Sequence, residues 1–249
     1  MDELVSYTYP IAGSLNAAFI ESASIHAWKG RMPAQKTTPV AEQRRQRDAA
    51  LTRNEILEIA TQEFAEQGYS GARVDQIAAQ THTTKRMIYY YFGSKEQLYV
   101  AVLEQAYGAI RTAEQQIDVE HLDPVSAIRR LAELTFDHHE SHPQFIRLVS
   151  IENIHRAKHL ERSERLATLN QPAIELIARI LDRGRASGAF TRSVDAVDLH
   201  MMISAFCVFR VANRHTFGAI FNRDLTSRAL REHYREMLAD MIVAYLTAT

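Results

Sequence analysis

Lys85, Arg86, Tyr89, Tyr90 and Tyr91 crowd into the stretch Thr84–Lys95, which reads T-K-R-M-I-Y-Y-Y-F-G-S-K. Phenols and cations on one short helix can donate hydrogen bonds to phosphates and to base edges, so the group suits a polyanionic partner. An amphipathic core helix spaces its aromatics by three or four residues. Three in a row point in three directions, so at least one ring faces outward. Read alone, Tyr89–Phe92 is equally the buried end of a helix, and the flanking residues must decide. A second chemical group is the histidine set His138, His139, His142, His155 and His159. His138/His142 and His155/His159 are spaced i, i+4, as metal ligands on a helix face can be. Glu152 and His155 form an E-x-x-H, but a di-iron bundle needs a second one and two further glutamates, and the chain offers no such set. The expectation is therefore no metal and no cofactor, with surface or pocket-lining histidines. Cys207 is the one cysteine, which excludes an intrachain disulfide or a Cys-based zinc cluster. No glycine-rich phosphate loop, nucleophile elbow or kinase signature occurs.

The elements that position these residues are helices. The 249-residue chain is 46% hydrophobic, poor in Gly and Pro, and shows little strand-like alternation, so the expected fold class is all-α. Thr52-Arg53-Asn54-Glu55 reads as a capping box opening a helix over 53–67, with Ile56, Ala60 and Phe64 on one stripe and Gly68 at its end. A short helix over 74–80 buries Val74, Ile77 and Ala78. After the connector Thr81-His82-Thr83, Thr84 caps a helix over 85–91 that Gly93 ends. Ser94-Lys95-Glu96-Gln97 is a second capping box, and Leu98, Val102, Ala106 and Ile110 run down the face of the helix that follows. Two short helices with a three-residue connector, flanked by a helix before and a long helix after, describe a helix-turn-helix. Its second helix lies in a DNA major groove with its N-terminal residues towards the bases. The net charge of −1 decides nothing. Between Lys29 and Arg53, however, seven cations face two acids, a net +5 directly before the helix pair.

At Asn54–Gln105 the chain resembles the DNA-binding domain of the TetR family of transcriptional regulators. The strings ILEIATQEFAEQGYSG, RVDQIAAQ and KRMIYYYFGSKEQL carry the resemblance. One departure is His82, where the family usually has Gly in the turn; a positive φ and a small strain are expected there. The resemblance implies that Lys85, Arg86 and Met87 contact bases. Tyr89 and Tyr90 would reach phosphates or a thymine edge, and Tyr91 would divide between backbone contact and packing. Ile88 and Phe92 would be core. Arg73 and Lys95 would meet phosphates, Lys95 together with the amides opening its helix, and Thr84 would join the DNA-binding residues. Arg44, Arg45 and Arg47 would either track the DNA as a basic arm or stay a solvated charge run.

From Asp123 the helices lengthen: 125–140 after an Asp123 cap and Pro124, 143–155, 164 or 171 to 186, 195–213 and 225–247. The last two are apolar on too many faces for one monomer, so a homodimer through a four-helix bundle is expected. The resemblance implies a ligand cavity, with Phe136, His139, Phe145, Val149, Glu152, His155, Ile177, Met202, Phe206 and Phe209 as candidates, each also an ordinary core residue. The expected plan is an extension over 1–45, disordered or loosely attached, a three-helix helix-turn-helix DNA-binding domain over 46–98, and a larger C-terminal helical domain for ligand binding and dimerisation over 99–249. Met32 offers a second translation start, which would leave residues 1–31 outside the native chain. The single cysteine, the absence of an apolar run near 18 residues and an N-terminus without cations point to a cytoplasmic protein with no membrane partner. The expected function is a ligand-responsive repressor: a homodimer binding a palindromic double-stranded DNA operator and responding to an unidentified small-molecule effector, not an enzyme. The alternative is an all-α enzyme or metal-binding bundle using His138, His142, Glu152 and His155. A third reading is a regulator that acts through protein partners without ligand control.

Overall fold

The computed structural model describes residues 40–118 and 121–248. The expectations for the extension up to residue 39, including the start at Met32, lie outside them. Among the described residues every regular element is helical: α1 (Val40–Gly71), α2 (Val74–Gln80), α3 (Lys85–Phe92), α4 (Lys95–Gln115), α5 (Pro124–Ser141), α6 (Pro143–Ile154), α7 (Glu164–Leu169), α8 (Gln171–Ala186), α9 (Ala196–Ala212), α10 (Arg214–Phe221) and α11 (Arg231–Thr247), with 3-10 turns at Leu160–Arg162 and Arg228–Leu230. No single helix among them is long and apolar enough to cross a membrane; α9 and α10, read together, are bent by 69°.

Several expected caps are formed. Thr84 accepts from Met87 N–H, Ser94 from Gln97 N–H and Asp123 from Ser126 N–H, each satisfying an orphan donor of a first turn. The capping box at Thr52 is not a helix start. The helix already begins at Val40, and the Thr52 hydroxyl donates back to Asp48 C=O inside it. Nothing in Ala41–Leu51 breaks a helix, and the residues extend α1 by three turns. Arg44, Arg45 and Arg47 therefore project from a helix and are exposed. Gly68 takes φ 69°, the left-handed conformation expected where a helix stops. His82 does not: among the described residues the positive-φ residues other than glycine are Arg156, Ala157 and Asn222, so the turn before α3 carries no strain of that kind. Further along, α11 begins at Arg231 instead of 225, and α10 fills a stretch without a predicted element.

Apolar side chains gather in two main groups. One joins Ile56, Ala60, Phe64, Val74, Ile77, Ile88, Phe92, Leu98 and Val102 across α1–α4. The other joins Ile128, Leu131, Phe136, Ile177, Ile180, Leu199, Ile203, Tyr234, Leu238 and Ile242 across α5, α8, α9 and α11. The expected boundary at residue 98/99 falls within α4, a continuous helix with residues in the first group. Ion pairs join α5 to α9 and α11: Arg235 to Glu133 at 2.8 Å, Arg231 to Glu140 at 2.6 Å and Arg210 to Glu140 at 3.0 Å. Gly184 lies inside α8, where a Cβ would meet the Phe190 ring at 2.0 Å, so only glycine lets that ring close on the helix.

Candidate nucleic-acid interface

The sequence KRMIYYYF makes α3 a helix with two distinct faces. Ile88 is fully buried and Phe92 nearly so, four residues apart on one stripe. They pack into the group formed with α1, α2 and α4. Around the other side, Lys85, Arg86, Met87, Tyr89 and Tyr90 are exposed, Tyr90 at 78%. Residues 85, 86, 89 and 90 lie at i, i+1, i+4 and i+5, so their side chains form one contiguous outward patch. Tyr91 is half-buried, its ring edge-on to Tyr90 at 5.6 Å and tilted against Phe92 at 6.4 Å. Gly93 closes the helix at φ 77°, its N–H donating to Tyr89 C=O at 2.7 Å.

Electrostatics hold the patch in register. Lys85 Nζ lies 2.8 Å from Asp75 on α2, and Arg73 lies 3.9 Å from the same carboxylate. The hydrogen bond with Lys85 is the main cause holding the Asp75 carboxyl below its ordinary range, and with Asp75 it holds the Lys85 ammonium above its own. Both groups are exposed, so the pair orients Lys85 more than it stabilises the fold. Arg73 N–H donates to Glu63 of α1, and His82 N–H to Glu55 of the same helix, so two α1 carboxylates hold both ends of α2. Thr84 is exposed at the start of α3. Lys95, expected at a phosphate, has its ammonium over the Tyr69 ring at 5.1 Å and 3.5 Å from Ser70 C=O, and burial lowers its pKa. In the free chain it sits at the carbonyl end of α1, where a cation meets the helix dipole. Arg53, which was not singled out, covers the Phe92 ring at 5.0 Å.

The ten ligand candidates fall in different packing clusters. Phe136, Ile177, Met202 and Phe206 belong to the α5–α8–α9–α11 core, whereas Phe145 and Val149 join a separate small cluster with Ile146 and Val211. His139 sits 5.6 Å from Phe145, its Nδ1 2.8 Å from Thr135 C=O. His155 and Phe209 are exposed. Glu152 is buried but committed: it accepts from His159 Nδ1 at 2.8 Å, His159 N–H at 3.2 Å and Leu160 N–H at 3.3 Å. His159, flanked by Tyr69 at 4.4 Å and Tyr99 at 5.0 Å, is the partner that sequence reading missed. The signal was present as a charged residue on an apolar helix, which demands a partner, but the i+7 spacing across a loop hid which one. His138 and His142 stack at 4.2 Å, away from that pair, and no three His, Cys, Asp or Glu among the described residues stand together as a metal site. Burial is the main cause driving the His138 pKa down to about 3 and that of His139 to about 4.

Comparison with known proteins agrees with this geometry. Residues 56–102 match the family model described as bacterial regulatory proteins, tetR family, and residues 124–242 match the tetracyclin repressor-like C-terminal domain. The HTH-type transcriptional repressor NicS of Pseudomonas putida is 32% identical over 197 residues, 79% of this chain and 93% of its own length. The HTH-type transcriptional repressor SCO4008 of Streptomyces coelicolor is 31% identical over 175 residues, 66% of this chain and 81% of its own. The crystal structure of the regulator SCO4942 from the same organism superposes with a TM-score of 0.59 at 28% identity, over 77% of this chain and 96% of that one. With an outward basic-phenolic recognition helix, a buried Ile88/Phe92 stripe and matches across both halves, the chain belongs to the TetR family of helix-turn-helix DNA-binding transcriptional regulators.

Proposed function

We propose that the protein is an effector-responsive transcriptional repressor acting as a homodimer on a palindromic operator. The observation carrying this reading is the contiguous exposed face of Lys85, Arg86, Tyr89 and Tyr90 on a helix anchored by Ile88 and Phe92. Lys85, Arg86 and Met87 read base edges; Tyr89 and Tyr90 bond phosphates or a thymine edge; Arg73 and Thr84 contact the flanking backbone. Arg44 and Arg45, on the N-terminal turns of α1, add sequence-independent attraction. Repression is supported by the names of NicS and SCO4008, both repressors. The domain division is proposed as DNA binding over 46–98 and effector binding with dimerisation over 99–249.

A second copy is the proposed partner of α9 and α11. Val197, Met201 and Phe209 on α9 and Met241 on α11 are large apolar side chains left more than half exposed, as are Ile220 and Phe221 on α10. Apolar faces of this size belong in an interface. Two copies joined there present two α3 helices to half-sites about one helical turn apart. Effector binding weakens operator binding by changing that separation, and DNA weakens effector binding by the same factor. Selection of bound sequences from a random duplex pool tests the whole reading. An inverted repeat is the expected product, and affinity for it should fall when Lys85 or Tyr90 is replaced by alanine. Recovery of no sequence preference would sink it.

A further inference from the structure

Along α4 runs a groove that neither the DNA-binding reading nor the predicted ligand set uses. One cleft of about 410 Å³ lies between α4 and segments of α1, α7 and α8; a second of about 390 Å³ lies between the end of α4 and α8. Arg111, Gln115 and Pro172 line both, so Arg111 stands where the two adjoin. Its side chain is more than nine-tenths buried. Its neighbour Glu114 lies 3.0 Å away as an ion pair, yet out of hydrogen-bond alignment: Arg111 Nε and Glu114 Oε2 are both buried with no hydrogen-bond partner. Nearby His138 Nε2 is a third buried orphan. Buried polar groups are ordinarily satisfied, and an arginine most of all.

Charge makes the imbalance specific. Burial, opposed by Arg111, raises the Glu114 pKa to about 7, so near neutral pH the one counter-charge is only partly ionised. Burial, with the charge of Arg111 adding to it, lowers the pKa of His138 to about 3, His139 to about 4 and His200 below its ordinary value, leaving all three neutral above pH 7. One buried guanidinium with a free Nε donor and a partly ionised counter-charge carries a net positive charge. Exposed Arg53 and Arg165 line the first cleft and exposed Arg179 the second, Arg165 already 3.5 Å from Glu104, whereas at the buried Arg111 a carboxylate has the planar geometry to meet a guanidinium. Gly108 adds a second, independent sign. It lies in the middle of α4 and lines the first cleft, and a Cβ there would meet nothing within 4 Å. Glycine in a helix interior costs about 1 kcal/mol against alanine, and no packing contact here requires it. What it leaves is open space beside Arg111.

We propose that this groove is the effector site and that its ligand is a small organic monocarboxylate, bound through Arg111 with its body in the cleft beside Gly108. The assignment rests on the effector-responsive reading above. Because α1 residues Arg53, Asn54 and Leu57 form one wall, an occupant touches the helix that supports α3. Binding an anion beside Glu114 favours its protonated form, so affinity falls as pH rises through 7. Between pH 6 and pH 8 the loss reaches about tenfold. Asp118, Glu175 and Arg179 also line the second cleft but lie outside the buried trio.

The test is thermal stabilisation of the full chain by benzoate and hexanoate, with benzamide, hexanamide, inorganic phosphate and sulfate as controls. A saturable rise in melting temperature with at least one carboxylate, absent with its amide and with the inorganic anions and larger at pH 6 than at pH 8, is expected. Both Arg111→Gln and Gly108→Leu should abolish it. The second substitution fills the cleft without touching the ion pair, so the test survives if the first fails to fold. No response to either carboxylate, an equal response to amide or inorganic anion, or binding that persists in Gly108→Leu would each overturn the site. Duplex selection is read separately: an inverted repeat without carboxylate binding removes this inference alone, and the absence of any selected duplex removes the regulator reading.

Discussion

Replacing Glu152 by alanine should be among the most damaging single changes in the chain. Its carboxylate is 1% exposed and receives three donors: the imidazole and amide of His159, both buried, and the half-buried amide of Leu160. Each buried donor stripped of its acceptor costs about 1–3 kcal/mol, and the two that His159 contributes cost about 3–5 kcal/mol as a whole. We take the second figure, because the Leu160 amide can recover a water. The loss extends to packing. The loop that these bonds close contains Arg156 at φ 56° and Ala157 at φ 58°, a conformation that side chains other than glycine resist. Without the Glu152 carboxylate only backbone bonds, such as Ala157 N–H to Glu152 C=O at 2.8 Å, oppose that strain, and the His159 ring would leave Tyr69 at the end of α1 and Tyr99 in α4. At about 2–4 °C per kcal/mol for a chain of this size, melting should fall by roughly 6–20 °C, read by circular dichroism at fixed protein concentration. Glu152→Gln keeps one acceptor and should lose less than half as much. A melting temperature within 2 °C of the parent for Glu152→Ala, or a glutamine variant less stable than the alanine one, would refute the reasoning.

Ala157→Gly relieves one left-handed position and should raise stability by up to about 1 kcal/mol in the same melt. Tyr90→Ala removes an exposed phenol and should weaken the selected operator by about 10–100-fold in a titration at fixed salt while leaving the melting temperature unchanged, whereas Ile88→Ala should cost about 2–5 kcal/mol of stability. Met201→Glu with Phe209→Glu on α9 should shift the sedimentation coefficient from dimer to monomer. The Glu114 carboxyl has its folded pKa raised from 4.5 to about 7. Its burial therefore costs nothing below pH 4.5, and stability is lost as pH climbs from there through 7; Glu114→Gln should flatten that decline in urea midpoints between pH 5 and pH 8.

The recognition helix was legible because its determinants are local. A cap at Thr84, a glycine at Gly93 and the four-residue spacing of Ile88 and Phe92 act within one or two turns, and the structure has each as expected. The start of α1 was not, because Thr52 satisfies the pattern of a cap while also being able to back-bond to Asp48, and the preceding residues only permit a helix without demanding one. The effector region was least legible. Ten side chains chosen for being apolar or polarisable on α5–α9 are indistinguishable in sequence from core, and most of them are core.

Helical class, the order of α2, α3 and α4, and the division of α3 into buried and outward residues all follow from residue type and short-range spacing, since capping and helical periodicity are local physics, whereas the family came from the resemblance of whole strings. Which distant groups meet is another matter. That Glu152 closes on His159, that Lys95 turns in over Tyr69, and that Arg111 stands at a groove with a half-ionised counter-charge depend on how helices far apart in the chain pack and on what that packing removes from water. Burial sets the value of a charge or a hydrogen bond, and burial is a property of the tertiary structure alone.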